Sequence, residues 1–69
     1  MSKTISTIAK NIKKYRKERG LSQDKLSRLA DVSHATIIKI ESGGTQSPTI
    51  DTVQKIAKAI GIGVEDLIK

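Results

Sequence analysis

The 69-residue chain holds no cysteine and one histidine, which excludes the usual structural zinc site and any disulfide framework and leaves a small core near the lower limit for unassisted folding. Its net charge of +6 is one-sided: residues 1–19 carry seven basic side chains against Glu18, and the rest of the chain balances. No stretch approaches the roughly 18 apolar residues that cross a bilayer and no signal-length apolar run follows Lys3, so the expectation is one soluble, cytoplasmic domain over 1–69.

In chain order, Ile5, Ile8, Ala9 and Ile12 recur at i, i+3, i+4 and i+7, which predicts an amphipathic helix reaching about Arg19. Gly20 stops it, and Leu21 supplies the apolar contact of a C-cap. A basic stripe on this helix is the footprint of a phosphate-binding surface, or equally a solvated lysine face. Ser22 then precedes Leu26, Leu29 and Ala30, and Ser33 precedes Ile37 and Ile40. Both serines suit an N-cap, where the hydroxyl accepts from an otherwise orphaned amide, and they predict two short helices near 23–30 and 34–41. Only Asp31 and Val32 remain for the bend, so the second of these helices leaves at a steep angle and is presented outward. Gly43 and Gly44, then Thr45 to Pro48, form the longest loop. Thr49 caps a fourth helix carrying Ile50, Val53, Ile56, Ala57 and Ile60, which Gly61 ends. Glu65 and Asp66 then fall in the first turn of a short final helix, where carboxylates suit the dipole, with Val64, Leu67 and Ile68 on its apolar side. The pattern is all-α, with five helices, a helix-turn-helix at about 22–41, and no strand, repeat or linker.

The basic run and glycine KKYRKERG is followed at fixed spacing by Leu21, Ser22, Gln23, Leu26, Ala30, Val32, Ser33, Ile37, Ile40, Glu41, Gly43, Pro48, Ala57, Gly61 and Leu67. With these residues the chain resembles the lambda-repressor and Cro type of helix-turn-helix, the XRE-like family, over nearly its whole length. Three positions depart from that pattern. Asp31 stands where glycine is usual, and it can adopt a left-handed conformation at modest cost. Lys25 replaces the acid that would complete a capping box with Ser22, and Gly63 replaces a Ser or Thr cap, which leaves the last helix more easily frayed.

The resemblance implies which residues meet DNA. Outward positions early in the second helix of the unit enter the major groove, while Val32, Ile37 and Ile40 turn inward. That leaves His34, Ala35, Ile38 and Lys39 as base contacts. Lys39 can donate to guanine O6 and N7, Ala35 can meet a thymine methyl, and His34 can donate or accept. Ile38 can pack on thymine methyls or be an ordinary exposed apolar residue. Family position also makes Gln23 a phosphate contact that can brace the side chain at 34, and makes Ser42 either a phosphate contact or a cap of its turn. Lys13 and Lys14 are candidate phosphate contacts from the basic stripe. Glu41 sits where its charge opposes the helix dipole. By family pattern its partner is Arg16, whose guanidinium can hold the carboxylate bidentately and still offer donors to a phosphate.

Enzymatic function has little support: His34 is the only histidine, and there is no glycine-rich phosphate loop. Single-strand or RNA binding would call for stacking aromatics, and Tyr15 is the only aromatic residue. An antitoxin or adaptor whose partner is another protein is the remaining alternative. The reading is a sequence-specific regulator of double-stranded DNA, a repressor or restriction-modification controller, with no cofactor, metal or small-molecule substrate and no membrane. It is expected to bind an inverted repeat as a homodimer through Ile62, Val64, Leu67 and Ile68. The chain suits either a stand-alone regulator or the head of a longer repressor.

Overall fold

The capping residues set the helix boundaries in the computed structural model, which describes residues 3–43 and 48–69, with side chains from Thr7 onward in the first helix. Five helices follow in order: α1 Lys3–Glu18, α2 Gln23–Ala30, α3 His34–Glu41, α4 Ile50–Ile60 and α5 Val64–Ile68. Among the described residues there is no strand. The side chain of Ile5 and the loop positions 44–47 lie outside the described residues.

Three helices start on a hydroxyl. Ser22 accepts from the Lys25 amide at 3.0 Å, Ser33 from the Thr36 amide at 3.1 Å, and Thr49 from the Thr52 amide at 3.1 Å, each satisfying one of the amides a helix start leaves orphaned. Three helices also end in the same left-handed turn. At Gly20, Asp31 and Gly61 φ is positive, and the next residue's amide reaches back to the helix: Leu21 to the Arg16 carbonyl, Val32 to Ser27 and Ile62 to Ala57, each at 3.0 Å. This is the Schellman geometry. The residue after each turn is apolar and packs against the core, so every turn also re-aims the chain inward. Asp31 adopts φ 58° and ψ 44°, the one non-glycine residue to do so among those described, and the helix-turn-helix bend survives without glycine.

The core is aliphatic, and each helix supplies one completely buried large side chain: Ile12, Leu26, Ile37, Ile56 and Leu67. Truncating any of them to alanine costs about 2–5 kcal/mol, because the transfer term is joined by a cavity. The helix α2 packs on α3 and α4, and α1 packs on α5, α3 and α4. One correction follows at the C-terminus. Leu67 was expected on a dimer surface, yet it is 0 % exposed within the single chain. A five-residue helix is too short to stand alone, so its best apolar group goes into the chain's own core, with Ile62 and Val64 half-buried beside it. Only Ile68 of the four faces outward, 48 % exposed.

The short last helix is fastened at both ends. The Gly63 amide donates to the Asp66 carboxylate at 3.2 Å, which replaces the missing hydroxyl cap with the reciprocal half of a capping box. At its far end the Asn11 side-chain amide, reaching across from α1, donates to the carbonyls of Leu67 at 2.8 Å and Asp66 at 3.3 Å. Neither contact was read from the sequence. The only available signal for Asn11 was a polar residue set beside Ile8 and Ile12 on the buried side of α1.

Candidate nucleic-acid interface

The outward face of α3 follows from its own periodicity. Ile37 and Ile40 are buried, whereas His34, Ala35, Ile38 and Lys39 are exposed together on the opposite side. Ile38 is 45 % exposed, an isoleucine facing solvent beside Lys39 and His34.

What holds this face in position is a buried charged group at the helix end. Arg16 of α1 is turned inward and only 8 % exposed. Its Nε donates to Glu41 Oε2 at 2.6 Å, its Nη2 to Glu41 Oε1 at 2.9 Å, and its Nη1 to the Leu21 carbonyl at 2.7 Å. The Gln23 amide adds a third donor to Glu41, at 3.1 Å to Oε1. One carboxylate thus ties α1, α2 and α3 together, and the fork-to-fork geometry fixes direction as well as distance. The charge of Glu41, which would otherwise oppose the dipole of α3, is met in full.

The arrangement revises two expectations. Arg16 does not face outward as a phosphate contact; each guanidinium nitrogen is engaged inside the protein. Gln23, half-buried, braces Glu41 rather than the side chain at 34. Ser42 is exposed, and its hydroxyl donates to the Lys39 carbonyl at 2.9 Å, so it caps the end of α3 with its proton and retains oxygen lone pairs for other donors.

The basic stripe of α1 divides into three. Arg16 is internal, and Arg19 donates through Nε to the Ile60 carbonyl at 3.1 Å, closing the C-terminal end of α4. Lys10, Lys13, Lys14 and Lys17 stay exposed. Among them Lys13 and Lys14 diverge. Lys14 lies over the ring of Tyr15, 5.3 Å from its centroid, within cation–π range. Lys13 leans the other way, with Lys10, toward Ser42 and Gly43 at the end of α3. Sequence alone could not separate them, because adjacent helix positions diverge by about 100° and only the packing of α3 and α5 on either flank of α1 decides which side each lysine serves.

Similarity to known proteins follows the same elements. A helix-turn-helix family profile matches residues 12–67, which takes in the C-terminal part of α1 from Ile12, the two helices joined at Asp31, and Leu67. The chain belongs to the XRE-type helix-turn-helix family. Among relatives of this XRE-type chain, the cryptic phage CTXphi transcriptional repressor RstR of Vibrio cholerae is 35% identical over 61 residues, covering 88% of this chain and 54% of RstR. The regulator SinR of Bacillus subtilis is 31% identical over 61 residues, covering 88% and 55%. The chain therefore spans about half the length of these curated relatives. The crystal structure of SinR, described as the master regulator for biofilm formation, in complex with DNA superposes with a TM-score of 0.85 at 31% identity, over 90% of this chain and 98% of that one. The restriction-modification controller C.AhdI of Aeromonas hydrophila shares the fold at a TM-score of 0.86 and 22% identity, covering 91% and 94%. Among the described residues, the five helices without a strand share the fold of Cro/C1-type helix-turn-helix proteins.

Proposed function

We propose that this XRE-type chain is a sequence-specific, double-stranded DNA-binding transcriptional regulator rather than an enzyme, that residues 1–69 form a single domain, and that it acts as a homodimer on an inverted repeat. The observation that carries the reading is the exposed face of α3, His34, Ala35, Ile38 and Lys39, fixed to α1 and α2 through Glu41. A helix entering the major groove must hold its side chains in register with base edges, and anchoring by a buried bidentate pair suits that demand better than it suits a free surface helix. Two relatives support it by name: RstR is a transcriptional repressor, and SinR has been crystallised with DNA. The cytoplasm is where such a protein would meet its target. The second copy is read from Ile68, with the half-buried Ile62 and Val64 beside it. A two-fold pair of recognition helices would then reach half-sites about 10 bp, or a multiple of it, apart.

Selection of bound sequences from a random duplex pool tests the reading directly. A palindromic consensus is the expected result. Recovery of no sequence above background, with no salt-sensitive binding to any duplex, would remove DNA as the partner and leave a protein-binding module.

A further inference from the structure

Beside the end of α3, the turn at Ser42 and Gly43 and the flank of α1 enclose an open cleft of about 240 Å³ lined by Ala9, Lys10, Lys13, Glu41, Ser42 and Gly43. That is about eight times the roughly 30 Å³ a liquid water occupies, so a solvated anion fits within it. We propose that this cleft is a seat for one backbone phosphate, gripped by Lys10 and Lys13, and that it sets where the duplex runs past the C-terminal end of the recognition helix. The inference rests on the DNA-binding reading and adds to it the group that is bound and the residues that bind it.

Three observations converge. Lys10 and Lys13, one helical turn apart on α1, are both exposed, and among the described residues neither has a carboxylate within ion-pair distance. Glu41 is the one acid on the lining, and its two oxygens already accept from Arg16 and Gln23; its side chain is 3 % exposed, so it leaves the cleft electropositive instead of cancelling the lysines. Ser42 continues the exposed stripe of Ala35 and Ile38 at helical spacing, which makes the cleft contiguous with the proposed reading face. Lys14, by contrast, sits over the ring of Tyr15.

The test compares two double variants of the full chain that lose the same charge: Lys10→Ala with Lys13→Ala, and Lys14→Ala with Lys17→Ala. All four side chains are exposed, and circular dichroism checks that both variants fold. Binding to a random-sequence 20-bp duplex is measured across salt concentrations. Losing the one seated phosphate should flatten the log–log salt slope by about 0.9 and weaken binding roughly 5-fold at 0.15 M salt. The Lys14/Lys17 pair should lose less than about 2-fold and leave the salt slope nearly unchanged, through general field alone. Equal losses by the two pairs would overturn the seat and reduce the stripe to net charge. A parallel titration with inorganic pyrophosphate, followed by the amide resonances of Ser42 and Gly43, separates the seat from the function. If the parent chain binds no duplex yet pyrophosphate shifts those amides and the Lys10/Lys13 variant abolishes the shift, the seat stands and the DNA reading fails. Absence of both duplex binding and the pyrophosphate shift would overturn the seat as well.

Discussion

At Arg16 and Glu41 two charges are removed from water with side-chain exposures of 9% and 3%, a situation in which the pair is stable only while both partners are present. Breaking such a pair strands an uncompensated charge and costs about 3–5 kcal/mol, whereas replacing both partners by apolar residues of similar volume is often neutral. Arg16→Met should therefore be strongly destabilising in urea denaturation, and Arg16→Met combined with Glu41→Leu should recover most of the loss. A single variant that costs less than about 1 kcal/mol would mean that the pair is solvated and does not anchor α3. Lys39 differs because its role is to read rather than to hold. Lys39→Ala should lose about 1–3 kcal/mol on the selected operator and relax preference at one guanine, with little effect on random duplex. Equal losses on both DNAs would make Lys39 another phosphate contact. The ion pair was accessible through the family resemblance, and Gln23 was named for the right end of the helix. Its actual partner could not be read because Gln23 and Glu41 meet only when α2 and α3 fold across each other.

The helices themselves were legible because their boundaries are local chemistry. Ser22, Ser33 and Thr49 cap where a hydroxyl precedes an apolar period, and the bend at Asp31 and Val32 closes as a Schellman turn. The left-handed conformation costs a non-glycine residue roughly 1–2 kcal/mol, somewhat less for aspartate, and the carboxylate of Asp31 also opposes the dipole of α2. Asp31→Gly should accordingly stabilise the protein by up to about 1 kcal/mol, a rise of roughly 4–8 °C per kcal/mol in the thermal midpoint for a chain of this size. Gly61→Ala is the reverse case. A Cβ there would meet nothing within 4 Å, so its cost of about 1 kcal/mol would be purely that of the backbone at φ 88°. Failure of the two substitutions to move the midpoint in opposite directions would show that conformational cost does not govern these turns. What stayed illegible at this scale were the long-range braces. Asn11 meets Leu67 across 56 positions and Arg19 meets Ile60 across 41, and no local pattern encodes such a meeting.

Across the whole molecule, the division of labour among apolar residues decides what can be exposed to a partner. Five helices each place one side chain wholly inside, and a chain this small has no redundancy to spare. Leu67→Ala should therefore unfold a large fraction of the protein, while Ile68→Asp should leave the fold intact and convert a dimer to monomer in sedimentation. A folded Ile68→Asp protein that still dimerises would move the two-fold contact away from α5. The expectation that Leu67 belonged to the surface failed because five residues make little more than one turn, too few for periodicity to distinguish an inner from an outer side. The stripe of charge on α1 was read as one surface and is three: an internal clamp, a helix closure and an outward set of lysines.

The convergence of α1, α2 and α3 on a single carboxylate has a consequence for how the protein opens. A surface helix of eight residues would ordinarily fray on its own, in a local fluctuation far below the global unfolding free energy. Here, peeling α3 away breaks the bonds from Arg16 and Gln23 to Glu41 and leaves two charges that are buried in the folded chain without their partners. The recognition helix is therefore bound into the same cooperative unit as the first two helices, and its amide protons should exchange with solvent only as slowly as the molecule itself unfolds.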